Sequence, residues 1–318
     1  MSAARKIDSE LDGVLSSIPK GSRGVFDITD IPGTREAVRQ MAVTIAAQAP
    51  EYPNITMEEL NAVRPDGGEV TLRLLRPDTG DDLPVLLWFH GGGQVLGFAA
   101  QDDPSLKRLI DEVSCAVVAV DYRLAPEAPA PAAAEDGLAA YRFILGNASS
   151  LRLDPRRIGI AGESGGGGIA AAVCLMVRDG GLPTPLFQGL FYPMLDDRNA
   201  TLSSEEVVDV GVWDRETNLL AWKAILGKAD SEVSEYQAPA RATRFDELPP
   251  TFLAVAEIDV LRDEGLHYGS QLIAAGVPVD LHHFAGAFHG FYLLAPESRL
   301  ARQFTSMWFD YLKNMFAR

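Results

Sequence analysis

Residues 157–177 read RIGIAGESGGGGIAAAVCLMV. The first six form a short apolar run of the kind found in buried strands. The last stretch is small and apolar, as a buried helix would be. Between them, GESGG at 162–166 matches G-x-S-x-G. A strand-to-helix turn this sharp needs glycine on both sides of the serine, because a Cβ would clash, and it raises the Ser164 hydroxyl above the sheet. Four consecutive glycines occupy 165–168. Each costs about 1 kcal/mol relative to alanine inside a helix, so they point to close packing or close approach of a substrate. A phosphate-cradling loop is excluded, since neither a G-x-G-x-x-G with its acidic ribose partner nor a following lysine is present.

Working outward, five more short apolar runs appear: LPVLLWFH (83–90), CAVVAVDY (115–122), LFQGLFYP (186–193), TFLAVAE (251–257) and PVDLHHF (278–284). They lack alternation, as strands buried on both faces do. Helical stretches are predicted at 104–112, 131–145, 166–179, 263–275 and 298–316. Alternating strands and helices predict an α/β fold, a mostly parallel sheet with helices on both faces. Ahead of it, ITMEELNAV (55–63), the turn residues PDGG (65–68) and EVTLRLLRP (69–77) predict a hairpin. Residues 1–50 read as helical, and within 35–49 Val38, Met41, Ala42 and Ile45 share one stripe until Pro50 and Pro53 end it. From 199 to 240 no strand signal appears; Trp213, Trp222 and helical patterning around 216–226 suggest an excursion over the ligand-binding edge of the sheet. The expected organisation is one domain, 1–318, with a helical cap from 1–50 and 199–240 over a core of 51–198 and 241–318.

Ser164 needs a base, and the base needs a carboxylate to orient it. On this topology they follow the serine in the order acid, then histidine. His289 sits in AGAFHGFY, a loop after the last strand, where catalytic groups gather. His267 lies in a helix, and His282 and His283 point to opposite faces of a strand, so structural roles are expected for all three. Asp259 occupies the loop after TFLAVAE; Glu257 ends that strand, and Asp263 and Glu264 begin a helix whose dipole favours acids. HGGG at 90–93 follows the strand LPVLLWF. Its amides, with that of Gly165, can face a developing oxyanion, each donor being worth about 10²- to 10³-fold in rate. His90 precedes the serine and is expected to fix this loop by hydrogen bonds.

Composition narrows the function. The 318 residues carry 28 Lys plus Arg and 44 Asp plus Glu, a net charge of −16, which disfavours nucleic-acid binding. Two cysteines, Cys115 and Cys174, lie in apolar stretches and are expected to be buried thiols in a reducing compartment. No signal-peptide-like or membrane-spanning run is read, so a cytoplasmic protein without a membrane span is expected. The histidines lack metal-ligand spacing, and neither metal nor cofactor is expected.

The motifs HGGG (90–93), DYRLAPE (121–127), DPRRIGIAGESGG (154–166), YPMLD (192–196), DVLRDEG (259–265) and FHGF (288–291) together resemble the hormone-sensitive-lipase-like, HGGG-bearing esterase branch of the α/β-hydrolases. The resemblance runs from about residue 55 to the C-terminus. It implies Ser164 as nucleophile, His289 as base, Asp259 as acid, and Gly91, Gly92, Gly93 and Gly165 lining the oxyanion hole. It implies a serine carboxylesterase acting on small esters of short to medium acyl chain, and a homodimer through the last strand and helix. Three positions depart from the commoner family pattern: Gly165 replaces alanine, Val260 replaces proline, and Glu163 replaces aspartate. Amide or peptide cleavage would use the same triad. A ligand receptor on the same scaffold is the other alternative, although receptors resembling this branch have lost the catalytic histidine.

Overall fold

The computed structural model describes residues 5–18, 26–79, 82–210, 212–227 and 232–318. The remaining parts of the expected cap, including 19–25 and 228–231, lie outside the described residues. The chain opens with α1 (Ser9–Ser17) and α2 (Ile31–Gln48), then the expected hairpin of β1 (Ile55–Val63) and β2 (Glu69–Pro77). It continues through β3 (Leu83–Phe89), α3 (Asp103–Val113), β4 (Ala116–Asp121), α4 (Ala132–Leu151), β5 (Leu153–Glu163), α5 (Gly165–Asp179) and β6 (Phe187–Phe191). Two helices, α6 (Leu202–Glu206) and α7 (Arg215–Leu226), fill the stretch before β7 (Thr251–Ile258), and α8 (Arg262–Ala274), β8 (Val279–Phe288), α9 (Phe291–Leu294) and α10 (Arg299–Phe316) complete the chain.

The eight strands form one sheet in the order β1-β2-β4-β3-β5-β6-β7-β8. Pairing is antiparallel from β1 through β2 to β4 and parallel from there on. After β3 the chain steps to β4 on one side and then to β5 on the other. Ligands bind outside the carboxyl ends of strands at such a reversal. HGGG follows β3 there, and Ser164 follows β5.

The strands lack sequence alternation because both faces are covered. In β3, Val85, Leu87 and Phe89 join the cluster under α4 and α5, while Leu86 and Trp88 join the cluster under α3 and α10. Cys115 and Cys174 are free and buried. The glycines at the elbow are sterically required. A Cβ would lie 2.4 Å from the Gly166 oxygen at Gly162, 2.2 Å from the Phe89 oxygen at Gly166, and 2.1 Å from the Met194 oxygen at Gly168.

Several boundaries differ from the sequence reading. β5 starts at Leu153, because Leu153 pairs with Leu83 before the register shifts at Val85. α4 runs to Leu151, carried past GNASS by buried Ala148 and stopped by Arg152 in the left-handed region. β8 is the sheet edge, and Asp280, His283 and Ala285 on it are exposed, so it is not buried on both faces. On α2 only Val38 of the expected stripe is buried; Met41 and Ile45 are 38% and 51% exposed. Among the described residues no helix is long and apolar enough to cross a membrane.

Candidate active site

Ser164 sits between β5 and α5 with φ 54° and ψ −120°, a conformation that non-glycine residues rarely adopt. Three backbone bonds hold it there. Its N–H donates to the Phe191 oxygen at 2.9 Å, and its carbonyl accepts from Met194 at 2.9 Å and Gly168 at 3.1 Å. The hydroxyl lies 2.8 Å from His289 Nε2. On the far side of the ring, Nδ1 lies 2.8 Å from Asp259 Oδ2. An ionised carboxylate only accepts, so Nδ1 carries the proton and Nε2 is free to accept from the serine. Asp259 is completely buried, and its other oxygen accepts from the Leu261 amide at 2.9 Å. The three residues chosen from sequence therefore meet in one hydrogen-bonded chain, although they are 95 and 30 residues apart along it.

HGGG lies directly over the elbow. A Cβ on Gly165 would stand 2.8 Å from the Gly93 nitrogen, so these two amides are neighbours. Gly165 opens α5, whose first N–H groups have no partner within the helix. Among the described residues the amides of Gly92 and Gly93 donate to no backbone oxygen. Gly91 lies against the Glu163 carboxyl, where a Cβ on it would stand 2.9 Å from Oε1.

His90 fixes that loop, as its position suggested. Its Nδ1 lies 2.7 Å from the Gly91 oxygen, its ring stacks on Tyr122 at 4.1 Å, and the Tyr122 hydroxyl donates to the His90 oxygen at 2.8 Å. Burial pushes the His90 imidazole down to about 4, so it is neutral at physiological pH. His267 and His283 are exposed, and His282 packs on the Phe252 ring at 4.8 Å. At the start of α8, Glu264 is buried and accepts from the Leu195 and Asp196 amides, and Asp263 accepts from the Ser203 amide at 2.8 Å. Glu257 accepts from the Gly286 amide at 2.7 Å, bracing the segment that leads to His289.

A cavity of about 450 Å³ opens over Ser164 and His289. Its walls are mainly apolar, with Leu96, Leu109, Phe191 and Phe309 from the core side and Met41 and Ile45 from α2. This explains the exposure of the α2 stripe: it faces a ligand-sized space instead of a packed core. Arg35 ties α2 to the core by donating to the Val95 and Ala125 oxygens and, through two nitrogens, to the Glu127 carboxylate.

Two aromatic residues in the site were marked in the sequence only as parts of longer stretches, Trp213 in the 199–240 excursion and Tyr192 in YPMLD, with no role assigned to either. Trp213, from the 199–240 excursion, lies 6.2 Å from the His289 ring and covers Gly93, where a Cβ would come within 2.3 Å of the indole. Tyr192 packs edge-on against His289 at 4.6 Å. Gly93 also has φ +58°. Gly93→Ala is therefore expected to displace the loop and lower kcat about 10²-fold, the scale of one lost oxyanion donor, with KM changing less. Steady-state kinetics beside a thermal melt would check this.

The comparisons with known proteins follow the same lines. The profile of a family described as alpha/beta hydrolase fold matches residues 86–293. Esterase LipI of Mycobacterium tuberculosis is 38% identical over 260 residues, covering 80% of this chain and 81% of the relative. Ethyl acetate hydrolase of Pseudomonas putida is 28% identical over 261 residues, covering 81% of each. The solved structure of a bacterial heroin esterase superposes with a TM-score of 0.93 at 38% identity over 98% of both chains. With the elbow, the strand order and this match in agreement, the chain belongs to the α/β-hydrolase fold family.

Proposed function

We propose that this protein is a cofactor-free serine carboxylesterase acting on short- to medium-chain esters. The observation that carries the reading is the unbroken contact from Ser164 through His289 to Asp259, 2.8 Å at each step, at the floor of an apolar cavity. Ser164 Oγ attacks the acyl carbonyl while His289 Nε2 takes its proton. Asp259 holds Nδ1–H and stabilises the imidazolium that forms. The amides of Gly92, Gly93 and Gly165 receive the charge that develops on the carbonyl oxygen. His289 returns the proton to the leaving alcohol, leaving an acyl-enzyme. A water activated by the same nitrogen then frees the acid.

The cavity volume falls within the usual range for small-ligand sites, about 300–1,000 Å³. Residues 1–50 and 199–240 serve as a cap in this reading, supplying Met41, Ile45 and Trp213 to the walls. A cytoplasmic location agrees with the two unpaired buried thiols. A homodimer would use β8, the edge strand of the sheet, and size-exclusion chromatography tests it.

The test is hydrolysis of p-nitrophenyl esters from acetate to palmitate. The expected result is a nitrophenol burst and a maximum at short or medium chains. Silence of the wild type across the series would overturn the reading and turn attention to acyl anilides. The receptor alternative has no support here, because His289 is present and in contact with Ser164.

A further inference from the structure

The helix α2 is bonded to the rest of the molecule through one side chain. Of its residues only Thr34 and Val38 are buried. Among the described residues, every hydrogen bond from α2 to the chain beyond residue 50 comes from Arg35. Its Nε donates to the Val95 oxygen at 2.8 Å. One terminal nitrogen donates to Glu127 Oε1 at 2.8 Å. The other donates to Glu127 Oε2 at 2.8 Å and to the Ala125 oxygen at 2.9 Å. On the same helix, Val38, Met41, Ala42 and Ile45 line the cavity.

The far end of this contact is the oxyanion loop. Gly92, Gly93 and Gln94 have φ of 117°, 58° and 58°, three successive residues at positive φ. Glutamine disfavours that region, so the turn persists only where its surroundings hold it. Within the loop, the Gly92 oxygen accepts from the Val95 amide at 3.1 Å and the Leu96 amide at 2.9 Å. From outside, the Ala125 amide donates to the Gln94 oxygen at 2.9 Å, and Arg35 donates to the Val95 oxygen. Among the described residues no other side chain hydrogen-bonds the backbone of 92–95. Arg35 also grips the carbonyl of Ala125, the residue whose amide holds Gln94.

We propose that Arg35 is a positioning residue that fixes two parts of the site at once: the turn that presents the Gly92 and Gly93 amides, and the α2 wall of the cavity. The inference rests on the esterase reading above. Burial decides which of its bonds matter. The Arg35 side chain is 17% exposed and that of Glu127 is 64% exposed. An ion pair to so exposed a carboxylate contributes little. Val95 and Ala125 are buried, so losing the guanidinium leaves their carbonyls without this donor in a place poor in water. A lysine brings one ammonium where the planar guanidinium meets three groups, so it is not equivalent. The two effects are read separately. A small ester reports the turn through kcat, and a longer one reports the wall through KM.

The experiment is steady-state hydrolysis of p-nitrophenyl acetate and octanoate by wild type, Arg35→Met, Arg35→Lys and Glu127→Gln, beside hydrogen exchange. Arg35→Met is expected to lower kcat on acetate about 10-fold, within the range reached when a catalytic group is displaced, with KM on acetate changed less than about 2-fold. KM on octanoate should rise about 10-fold, the effect of exposing roughly two methylenes. Arg35→Lys should fall between wild type and Arg35→Met on both counts. Glu127→Gln should lower kcat less than about 3-fold. Amides of α2 should exchange about 10-fold faster in Arg35→Met, with those of α5 unchanged. Wild-type kcat on acetate in Arg35→Met, KM rising equally for both esters, or unchanged exchange in α2 would overturn the proposal. So would a Glu127→Gln loss as large as that of Arg35→Met, which would assign the effect to the ion pair. Should Arg35→Met fail to fold, Arg35→Lys carries the same readouts with the same signs. A wild type that hydrolyses no ester would sink the esterase reading, while the exchange data would still judge the hold on α2.

Discussion

Ser164→Ala is expected to lower kcat about 10⁶-fold, the scale on which removal of a serine nucleophile acts. The oxyanion amides of Gly92, Gly93 and Gly165 and the apolar cavity remain, so a residual rate above the uncatalysed reaction persists and ester binding is retained. The substitution removes only the hydroxyl, whose partner in the structure is His289 Nε2 at 2.8 Å. The fold should therefore be unharmed, and the strained φ of 54° is compatible with a Cβ already present. Burst kinetics with a p-nitrophenyl ester would check it: no burst, and steady-state turnover down about 10⁶-fold, from a protein with wild-type melting. Substantial activity in the variant would mean that another residue carries the acyl group.

Asp259→Asn should cost about 10⁴-fold in kcat with little change in KM. The cause is the tautomer. Asp259 accepts from His289 Nδ1 at 2.8 Å and from the Leu261 amide at 2.9 Å. An asparagine can keep the Leu261 bond, but it then turns its NH₂ toward the imidazole. Nδ1 becomes the acceptor, Nε2 carries the proton, and no base faces Ser164. The imidazolium formed during acylation also loses its counter-charge in a completely buried place. The check is single-turnover acylation, which should slow by the full factor. Equal loss in acylation and in thermal stability would instead assign Asp259 a mainly structural role.

Much of this protein can be read directly from residue order. The hairpin at 55–77, the buried strands, and the helices after them were legible because each depends on local periodicity and turn chemistry. G-x-S-x-G, HGGG and the loop positions of Asp259 and His289 were legible for the same reason: backbone turns at strand ends impose glycine and leave few candidates. The boundaries that moved, at Leu153 and Leu151, were moved by partners distant in sequence, such as Leu83 across the sheet. The same holds more strongly for the site's surroundings. Trp213 and Gly93 are 120 positions apart, and Tyr292 and Glu163 are 129 apart. No spacing rule connects residues brought together by packing across a crossover sheet. The α2 stripe makes the point from the other side. Val38, Met41, Ala42 and Ile45 have the period of a core-facing helix, but a helix cannot encode whether a core or a cavity lies opposite. Residue order thus set the elements and the catalytic chemistry, through local sterics and hydrophobic period. Long-range packing set the shape of the pocket and the surroundings of Glu163, because those depend on atoms that the chain brings near only when the sheet is complete.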